Sequence, residues 1–561
     1  MYFQIRSDTS ISTTKKTGNW QSSAIGRFLH NPEHMKVYAC HLLNSEEAAK
    51  ASAAGTDVVV CNGVNPGLGD WPFQIIDANE FRIQASHRAF DANRELYEKQ
   101  VACKWPAAFA FRGIELWDAY LKAVLWSNRK TAHLEEAIAS LGPDARVIHR
   151  VPLHHGSRLR CAFSLAKTML RKLRGGPFRL PELAVPQERK LGFLVDNIFG
   201  FNLIQRIYQA FPGQSVLVLP PHHTFKDNEI AALKAEGYQL VICPPATWVH
   251  IPFTLPFVFG GPTAWYVQQM LRNEQAVSSC LAWGQALMES SLRVLVTIAQ
   301  ENTPEGHILG RMAAREGKQV VNVMNGIKYG ESNDRLVQFQ CWMVWDEPLR
   351  QLLLRHTGLP KERLYIGGNL SRDNIRDHVY SGNIPVSEAE RASKRIISII
   401  STRDLRRDKV TALATLYTWA AKQPDVILLY RPHPSEKEDS YYLPASDSGI
   451  DIRMVRPDAS VAQKSLLDQL MSSDLTINFG STVSIEALWM KARCITFEMK
   501  PASWLYCVDG QTLLHINSRE GLLDALQDCR FQPKAGSVVS GDQEPYSWEK
   551  HANYIRPLIQ A

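Results

Sequence analysis

Short runs of uninterrupted apolar residues recur through the middle and C-terminal parts of this chain, each followed by a stretch of helical character. In the middle they are Leu191 to Val195, Val216 to Leu219, Leu240 to Cys243, Val294 to Ile298 and Val320 to Met324. Further on they are Ile396 to Ile400, Val426 to Tyr430, Leu475 to Asn478 and Cys494 to Phe497. A strand with one wet face alternates apolar with polar residues. These runs do not alternate, so both of their faces must be covered, as happens in parallel sheets with helices on both sides. The runs fall into two successive sets, which predicts two Rossmann-like α/β domains. The chain has 561 residues, too many for one core, and at roughly 100–200 residues per domain a third unit is expected. The predicted organisation is an N-terminal accessory domain over 1–185, a first Rossmann-like domain over 186–385, a second over 390–530, and a tail over 531–561 that returns to brace the body. The accessory domain reads as mixed and helix-rich. It has one strand candidate, Asp57 to Cys61, and an aromatic helical stretch through Trp105, Trp117, Tyr120 and Trp126. Gly175-Gly176-Pro177 and the prolines from Pro181 to Pro186 read as the linker out of it.

Composition narrows the class of partner. Hydrophobic residues make up 45% and charged residues 21%, the proportions of a globular protein. The net charge of +7, from 63 basic against 56 acidic residues, is small for this length. It suits an anionic ligand and does not call for nucleic acid. Ten cysteines are scattered singly with no zinc-type spacing, which fits a reducing compartment. The first residues, Met1 to Arg6, hold no apolar run of signal-peptide length, and no stretch approaches the ~20 apolar residues of a spanning helix. The expected location is cytoplasmic. The segment 158–174 carries Arg158, Arg160, Lys167, Arg171, Lys172 and Arg174 among Leu, Phe and Met. It reads either as a helix packed on its own domain or as a basic amphipathic helix lying peripherally on an anionic membrane's inner face.

In doubly wound folds ligands bind beyond the carboxyl ends of the strands, so the residues that follow each run carry the chemistry. In the C-terminal set these are Arg403 after Ile400, Arg431-Pro432-His433-Pro434 after Tyr430, and Gly480-Ser481-Thr482 after Asn478. Arginines, an imidazole and hydroxyls converging on one rim are what a phosphodiester requires. Two prolines stiffen the loop that holds His433. Gly480 allows close backbone approach, and Ser481 and Thr482 open a helix whose N–H groups favour an anion. Glu486 stands one turn into that helix, where a ribose hydroxyl would lie. The competing structural roles are an N-cap for Ser481, a plain polar site for Glu486 and a surface histidine at 433. In the middle set the rim offers Asp196, His222 and Glu301 as general bases for an acceptor hydroxyl, against capping and turn roles for the same residues. There is no Asp-x-Asp pair, so neither a metal nor a cofactor is expected.

Arg-Pro-His-Pro after one strand and Ser-Thr…Glu-Ala-Leu after a later one resemble the C-terminal half of GT-B glycosyltransferases of bacterial surface polysaccharides. This group comprises capsule Kdo transferases, bacterial sialyltransferases and CDP-glycerol polyol-phosphate transferases, with nucleotide-sugar 2-epimerases sharing the fold. The resemblance covers about 190 to 500. It implies two domains facing across a cleft and transfer of a sugar from a nucleotide donor, CMP-linked by preference, to a glycan or lipid-linked acceptor such as a capsule polysaccharide. By the same resemblance His433, Pro434, Ser481 and Thr482 engage the nucleotide. Gln300 to Gly306 and Ala313 to Tyr329 resemble the N-terminal domain of this group, with Met324-Asn325-Gly326 where relatives often carry Gln-His-Gly. That substitution keeps two alternatives in view: a 2-epimerase and a non-catalytic nucleotide-binding scaffold.

Overall fold

The structure, a computed structural model, describes residues 35–64, 72–96, 110–112, 114–143, 145–150, 158–175, 178–246, 248, 262–298, 300, 303–326, 338–382, 384–402, 407–433, 436, 449–456, 462–490, 492–497, 513–527 and 545–560. It is an α/β protein built on three parallel sheets. The first contains β1 (Lys36–Cys40), β2 (Val58–Cys61), β3 (Gln74–Asp77) and β6 (Arg146–Arg150) in the order β3-β2-β1-β6, and a small hairpin joins β4 (Ala110–Phe111) to β5 (Ile114–Glu115). Only β2 is read from the sequence as a buried apolar run. β3, Gln-Ile-Ile-Asp, and β6, Arg-Val-Ile-His-Arg, are edge strands that mix polar with apolar residues, whereas β1, paired on both sides, buries the apolar run Val37 to Cys40 that the sequence reading passed over.

The second sheet holds β7 (Leu191–Leu194), β8 (Ser215–Leu219), β9 (Leu240–Ile242), β10 (Val294–Ile298), β11 (Gln319–Val323), β12 (Cys341–Val344) and β13 (Leu364–Ile366), ordered β13-β12-β11-β10-β7-β8-β9. The third holds β14 (Arg395–Ile400), β15 (Val426–Arg431), β16 (Ile452–Met454), β17 (Leu475–Asn478), β18 (Cys494–Phe497) and β19 (Leu513–Ile516), ordered β16-β15-β14-β17-β18-β19. Both wind outward from their first strand in two directions, which makes a crevice at the carboxyl ends where the winding reverses. Every residue of β7, β8, β10, β12, β17 and β18 is buried, including the polar Ser215, Thr297, Thr476, Asn478 and Thr496 among the apolar ones.

The three units are joined by apolar packing. Ile114, Leu116, Ala119 and Tyr120 of the first region belong to the same buried cluster as Trp283, Leu309 and Trp342 of the second. Ile485, on the Val483–Trp489 helix of the third region, enters that cluster too, with Trp489 packed against it. The last helix, Ser547–Gln560, inserts Ala552, Ile555 and Ile559 among Phe193, Ile204 and Ile207 of the second region. Its first turn is tied to the Leu370–Arg376 helix: the Ser547 and Trp548 N–H groups each donate to the Asp373 carboxylate at 2.8 Å.

The basic Arg158–Arg174 helix lies on the Pro262–Glu289 helix. Arg171 donates to Gln275 at 3.0 Å and lies 4.0 Å from the buried carboxylate of Glu274. Burial pulls the Lys172 ammonium down from its ordinary value, against the attraction of Glu274. These two basic residues therefore serve packing. Leu170 and Leu173 face outward, 51% and 75% exposed. Among the described residues no helix is long and apolar enough to cross a membrane.

Candidate functional site

The strand register builds the site. In the third sheet Ile400 of β14 pairs with Arg431 of β15 on one side and with Asn478 of β17 on the other. Arg431 and Asn478 thus end their strands at one level, and His433 and Ser481 leave from the same rim. Arg403 and Pro434, assigned to this rim from the sequence, lie outside the described residues, as does Glu301 on the opposite domain.

The loop after β15 is pinned by charges. Glu436, three residues beyond His433, accepts from the His433 N–H at 3.1 Å, from the Tyr430 hydroxyl at 2.8 Å and from the Lys409 ammonium at 2.7 Å. Lys409, from the Arg407–Ala420 helix, has 0% of its surface exposed and also donates to the Thr402 carbonyl at 3.2 Å. Burial acts to raise the Glu436 carboxyl. The Lys409 charge and the hydrogen bonds from Lys409, Ser401 and Tyr430 outweigh it and leave the carboxyl below its ordinary value. The same burial, with the Glu436 charge, pushes the Tyr430 phenol up. An ion pair this deep is destabilising to break and costly to desolvate, so its effect is positional: it holds the loop that carries His433.

The turn after β17 is pinned by neutral groups. Gly480 sits at φ +75°, a conformation that disfavours a side chain. The Asn478 side chain accepts from the Ser481 N–H at 3.1 Å and the Ser484 hydroxyl at 3.0 Å, and donates to the Ile495 carbonyl at 3.2 Å. Capping is not what occupies the two hydroxyls. Thr482 at the N-cap has helical backbone angles and no side-chain cap bond, and Ser481 Oγ accepts only a long 3.4 Å bond from the Val483 N–H. The helix itself is seven residues long, Val483–Trp489, and Glu486 stands in its first turn.

Arg431 and Glu486 close the site. Burial lowers the Arg431 guanidinium to about 10 against the opposing Glu486 charge, and burial raises the Glu486 carboxyl to about 7 against the opposing Arg431 charge. Each group thus feels the other's charge, and neither fully offsets the other's desolvation. Arg431 also reaches the Ser465 hydroxyl at 3.4 Å. A half-buried guanidinium beside a carboxyl that titrates near neutrality is a receptor whose charge depends on pH.

On the second sheet the rim is different. Asp196 follows β7, accepts from Asn197 Nδ2 at 2.7 Å and is half-buried. Its neighbour Asn197, not Asp196, caps the Ile198–Gln209 helix by accepting from the Gly200 N–H at 2.8 Å. His222, beyond β8, and Asn325, beyond β11, are exposed. Among the described residues no group of three or more His, Cys, Asp or Glu is placed to hold a metal ion. Lys409, Tyr430, Glu436 and Asn478 escaped the sequence reading as parts of the site. Two signals were present: a carboxylate three residues after His433, and a lysine bordering the otherwise apolar segment from Val410.

No protein-family model and no curated protein matches this chain. Among solved structures it is similar to the UDP-GlcNAc 2-epimerase from Methanocaldococcus jannaschii, at 13% identity and a TM-score of 0.44, over 66% of this chain and 99% of that one. It is similar to the UDP-GlcNAc 2-epimerase from Neisseria meningitidis, at 11% identity and a TM-score of 0.46, over 66% and 99%. It is also similar to the wall teichoic acid polymerase TagF, at 13% identity and a TM-score of 0.38, over 72% and 96%.

Proposed function

We propose that the chain is a glycosyltransferase that moves a sugar from a nucleotide-sugar donor, CMP-linked in the first instance, to a glycan or lipid-linked acceptor of a surface polysaccharide such as a capsule. The observation that carries this reading is the shared level of Arg431 and Asn478 on either side of Ile400, with His433 and Ser481 leaving from that rim. In the reaction an acceptor oxygen attacks the anomeric carbon and the bond to the nucleotide phosphate breaks. Arg403, Arg431, His433, Ser481 and Thr482 receive the charge that builds on the leaving phosphate, with Gly480 and Pro434 shaping the backbone around it. Glu486 takes a ribose hydroxyl. The acceptor's proton goes to a base on the facing domain, for which Asp196, His222 and Glu301 stand as candidates.

The test is calorimetry and thermal shift of the full chain with CMP, CDP, UDP and GDP, because a ligand that binds only the native state raises its stability. CMP is expected to bind most tightly, and His433→Ala with Ser481→Ala to lose that binding. No binding by any of the four at millimolar concentration overturns the reading. Release of UDP and a 2-epimerised sugar from UDP-GlcNAc without an acceptor replaces it with an epimerase.

A peripheral position at a membrane's inner face belongs to the same proposal. Lys167 and Arg174 flank the outward-facing Leu170 and Leu173 and suit an anionic lipid surface. Leu173→Asp is expected to abolish salt-sensitive sedimentation with anionic vesicles. Unchanged sedimentation removes the membrane from the proposal.

A further inference from the structure

The second sheet reverses its winding between β7 and β10, and the crevice of a doubly wound sheet lies at that point. The helix that follows β10 is Pro304–Arg315. Along it Glu305, Ile308, Leu309 and Met312 share one face, at the spacing i, i+3, i+4, i+7. The last three are buried in the cluster that joins the second sheet to the Pro262–Glu289 helix. The stripe is therefore apolar along the sheet and ends, at the carboxyl rim, on a carboxylate. Glu305 is 7% exposed. Helical side chains lean toward the start of their helix, so this one leans out of the apolar stripe toward the rim.

The fold does not employ this carboxylate as a cap. Thr303 caps the helix, accepting from the Gly306 N–H at 3.2 Å. The position from which a carboxylate would complete a reciprocal cap belongs to Gly306, where a Cβ would clash with the Gln300 carbonyl. No described residue gives the Glu305 side chain a hydrogen bond or an ion pair, and His307 and Arg311 of the same helix have their interactions with other groups. Its charge is felt by the buried Cys280 thiol, pushed well above its ordinary value by burial first and by this carboxylate second, with Sγ 3.9 Å from the Glu305 carbonyl oxygen. The N-terminal end of a twelve-residue helix favours an anion in place of a cation. A polar group this deep without a partner in the fold is the exception in native proteins, and a partner that arrives with the ligand accounts for it.

We propose, resting on the transferase reading above, that Glu305 is the base of that reaction and takes the proton of the acceptor hydroxyl. As the acceptor oxygen bonds to the anomeric carbon, its O–H proton passes to the Glu305 carboxylate. The electron pair of the breaking bond leaves with the nucleotide phosphate toward the third sheet. The protonated Glu305 returns its proton to water after the product departs. The other groups on this rim are less suited. Asp196 is half-buried and already accepts from Asn197 at 2.7 Å, and His222 is exposed. Glu305 keeps its accepting capacity and is withdrawn from water, which favours an acceptor hydroxyl over hydrolysis of the donor.

The test follows nucleotide release by the full chain from CMP-sialic acid, CMP-Kdo and UDP-GlcNAc, with glycerol at molar concentration as the acceptor hydroxyl. With the donor that the parent turns over, Glu305→Gln is expected to lower kcat by about a hundredfold or more. Its KM for that donor and its nucleotide affinity by calorimetry are expected to stay within about twofold of the parent, and its melting temperature at or above the parent's. Glu305→Ala is expected to lose kcat likewise and to regain about tenfold when formate is added, since formate supplies the missing carboxylate. Turnover in Glu305→Gln above about a tenth of the parent's overturns the proposal, as does a loss that comes with a lower melting temperature and no rescue by formate. Release from none of the donors by the parent overturns the transferase reading itself, and this role with it.

Discussion

The two doubly wound sheets share their winding and differ in how their carboxyl rims are furnished. Beside the switch point of the second sheet the buried hydrogen-bond network is neutral, next to the one buried carboxylate of Glu305. Asn322, with 0% exposure, accepts from the Thr297 hydroxyl at 2.8 Å and the Gln300 N–H at 3.2 Å, and Thr303 donates to the Gln300 side chain at 2.6 Å. In the third sheet the inside of the rim is charged, with Lys409 against Glu436 and with Arg431 and Glu486 within reach of each other's charge. Charges held out of water are retained where they are paired, so the buried Lys409–Glu436 pair on the third rim, against the single buried carboxylate of Glu305 on the second, marks a difference between the two. It suits a division of labour in which the charged rim receives an oxyanion and the neutral one a hydroxyl acceptor.

The largest effect should come from breaking the charged interior. Lys409→Met keeps bulk and leaves Glu436 buried without its counter-charge, which is expected to cost about 3–5 kcal/mol of folding stability. Asn322→Ala orphans two neutral donors and is expected to cost less, about 1–3 kcal/mol. Urea unfolding of both variants measures the contrast. Equal losses would mean that the two rims are held by interactions of the same strength and that the asymmetry has no energetic content.

A somewhat smaller effect separates the walls by function. His433→Ala and Ser481→Ala each remove a phosphate-directed hydrogen bond, worth roughly 1.5–3 kcal/mol, or about tenfold or more in nucleotide affinity. Their stability is expected to stay within about 1 kcal/mol of the parent. Asp196→Asn is expected to leave nucleotide affinity alone and lower turnover. Isothermal titration alongside a transfer assay reads both quantities. A nucleotide affinity that falls with Asp196→Asn and holds with His433→Ala would exchange the two walls.

Most inner strands of the second and third sheets were legible because, covered on both faces, they are largely apolar, with Asn322, Ser398, Thr476 and Asn478 as buried polar exceptions. The edge strands β16 and β19 were not, since Ile-Arg-Met and Leu-Leu-His-Ile are short and mix polar with apolar residues. In the first region β2 was legible and its edge strands β3 and β6 were not, for the same reason, while the buried run of β1 was there to be read and was passed over. In the site, the residues that leave the strand ends were readable from order alone: Arg431, His433, Gly480 and Ser481. The groups that fix them were not. Lys409 meets Glu436 from 27 residues away, and Asn478 meets Thr496 from 18. Pairings at that separation depend on which strands become neighbours, which a linear pattern does not contain.

The smallest effect, and the one most specific to the charged rim, is its response to pH. Burial raises the Glu486 carboxyl from 4.5 to about 7. In the unfolded chain this group gives up its proton near 4.5, while the native protein keeps it to about 7. Between those values the unfolded state binds fewer protons, so this group's contribution to stability is full below 4.5 and is lost as pH rises through 7. Arg431, lowered only to about 10, stays charged throughout that window. The consequence for binding has the same sign. Below 7 Glu486 is neutral and Arg431 presents its charge to a phosphate, whereas above 7 the Glu486 carboxylate competes with the ligand for it. Nucleotide affinity of the parent, relative to Glu486→Gln, is therefore expected to fall several-fold between pH 6.5 and 8.5, on the order of 1 kcal/mol. The ligand's own ionisation is common to both proteins and cancels in the ratio. Glu486→Gln, which keeps the shape and cannot ionise, is expected to bind with no such fall and to lose the stability slope between 4.5 and 7. Titration calorimetry and melting curves of the two proteins across this range give both readings. A ratio that stays flat would detach Glu486 from Arg431's charge and leave it, at most, a contact to the ribose.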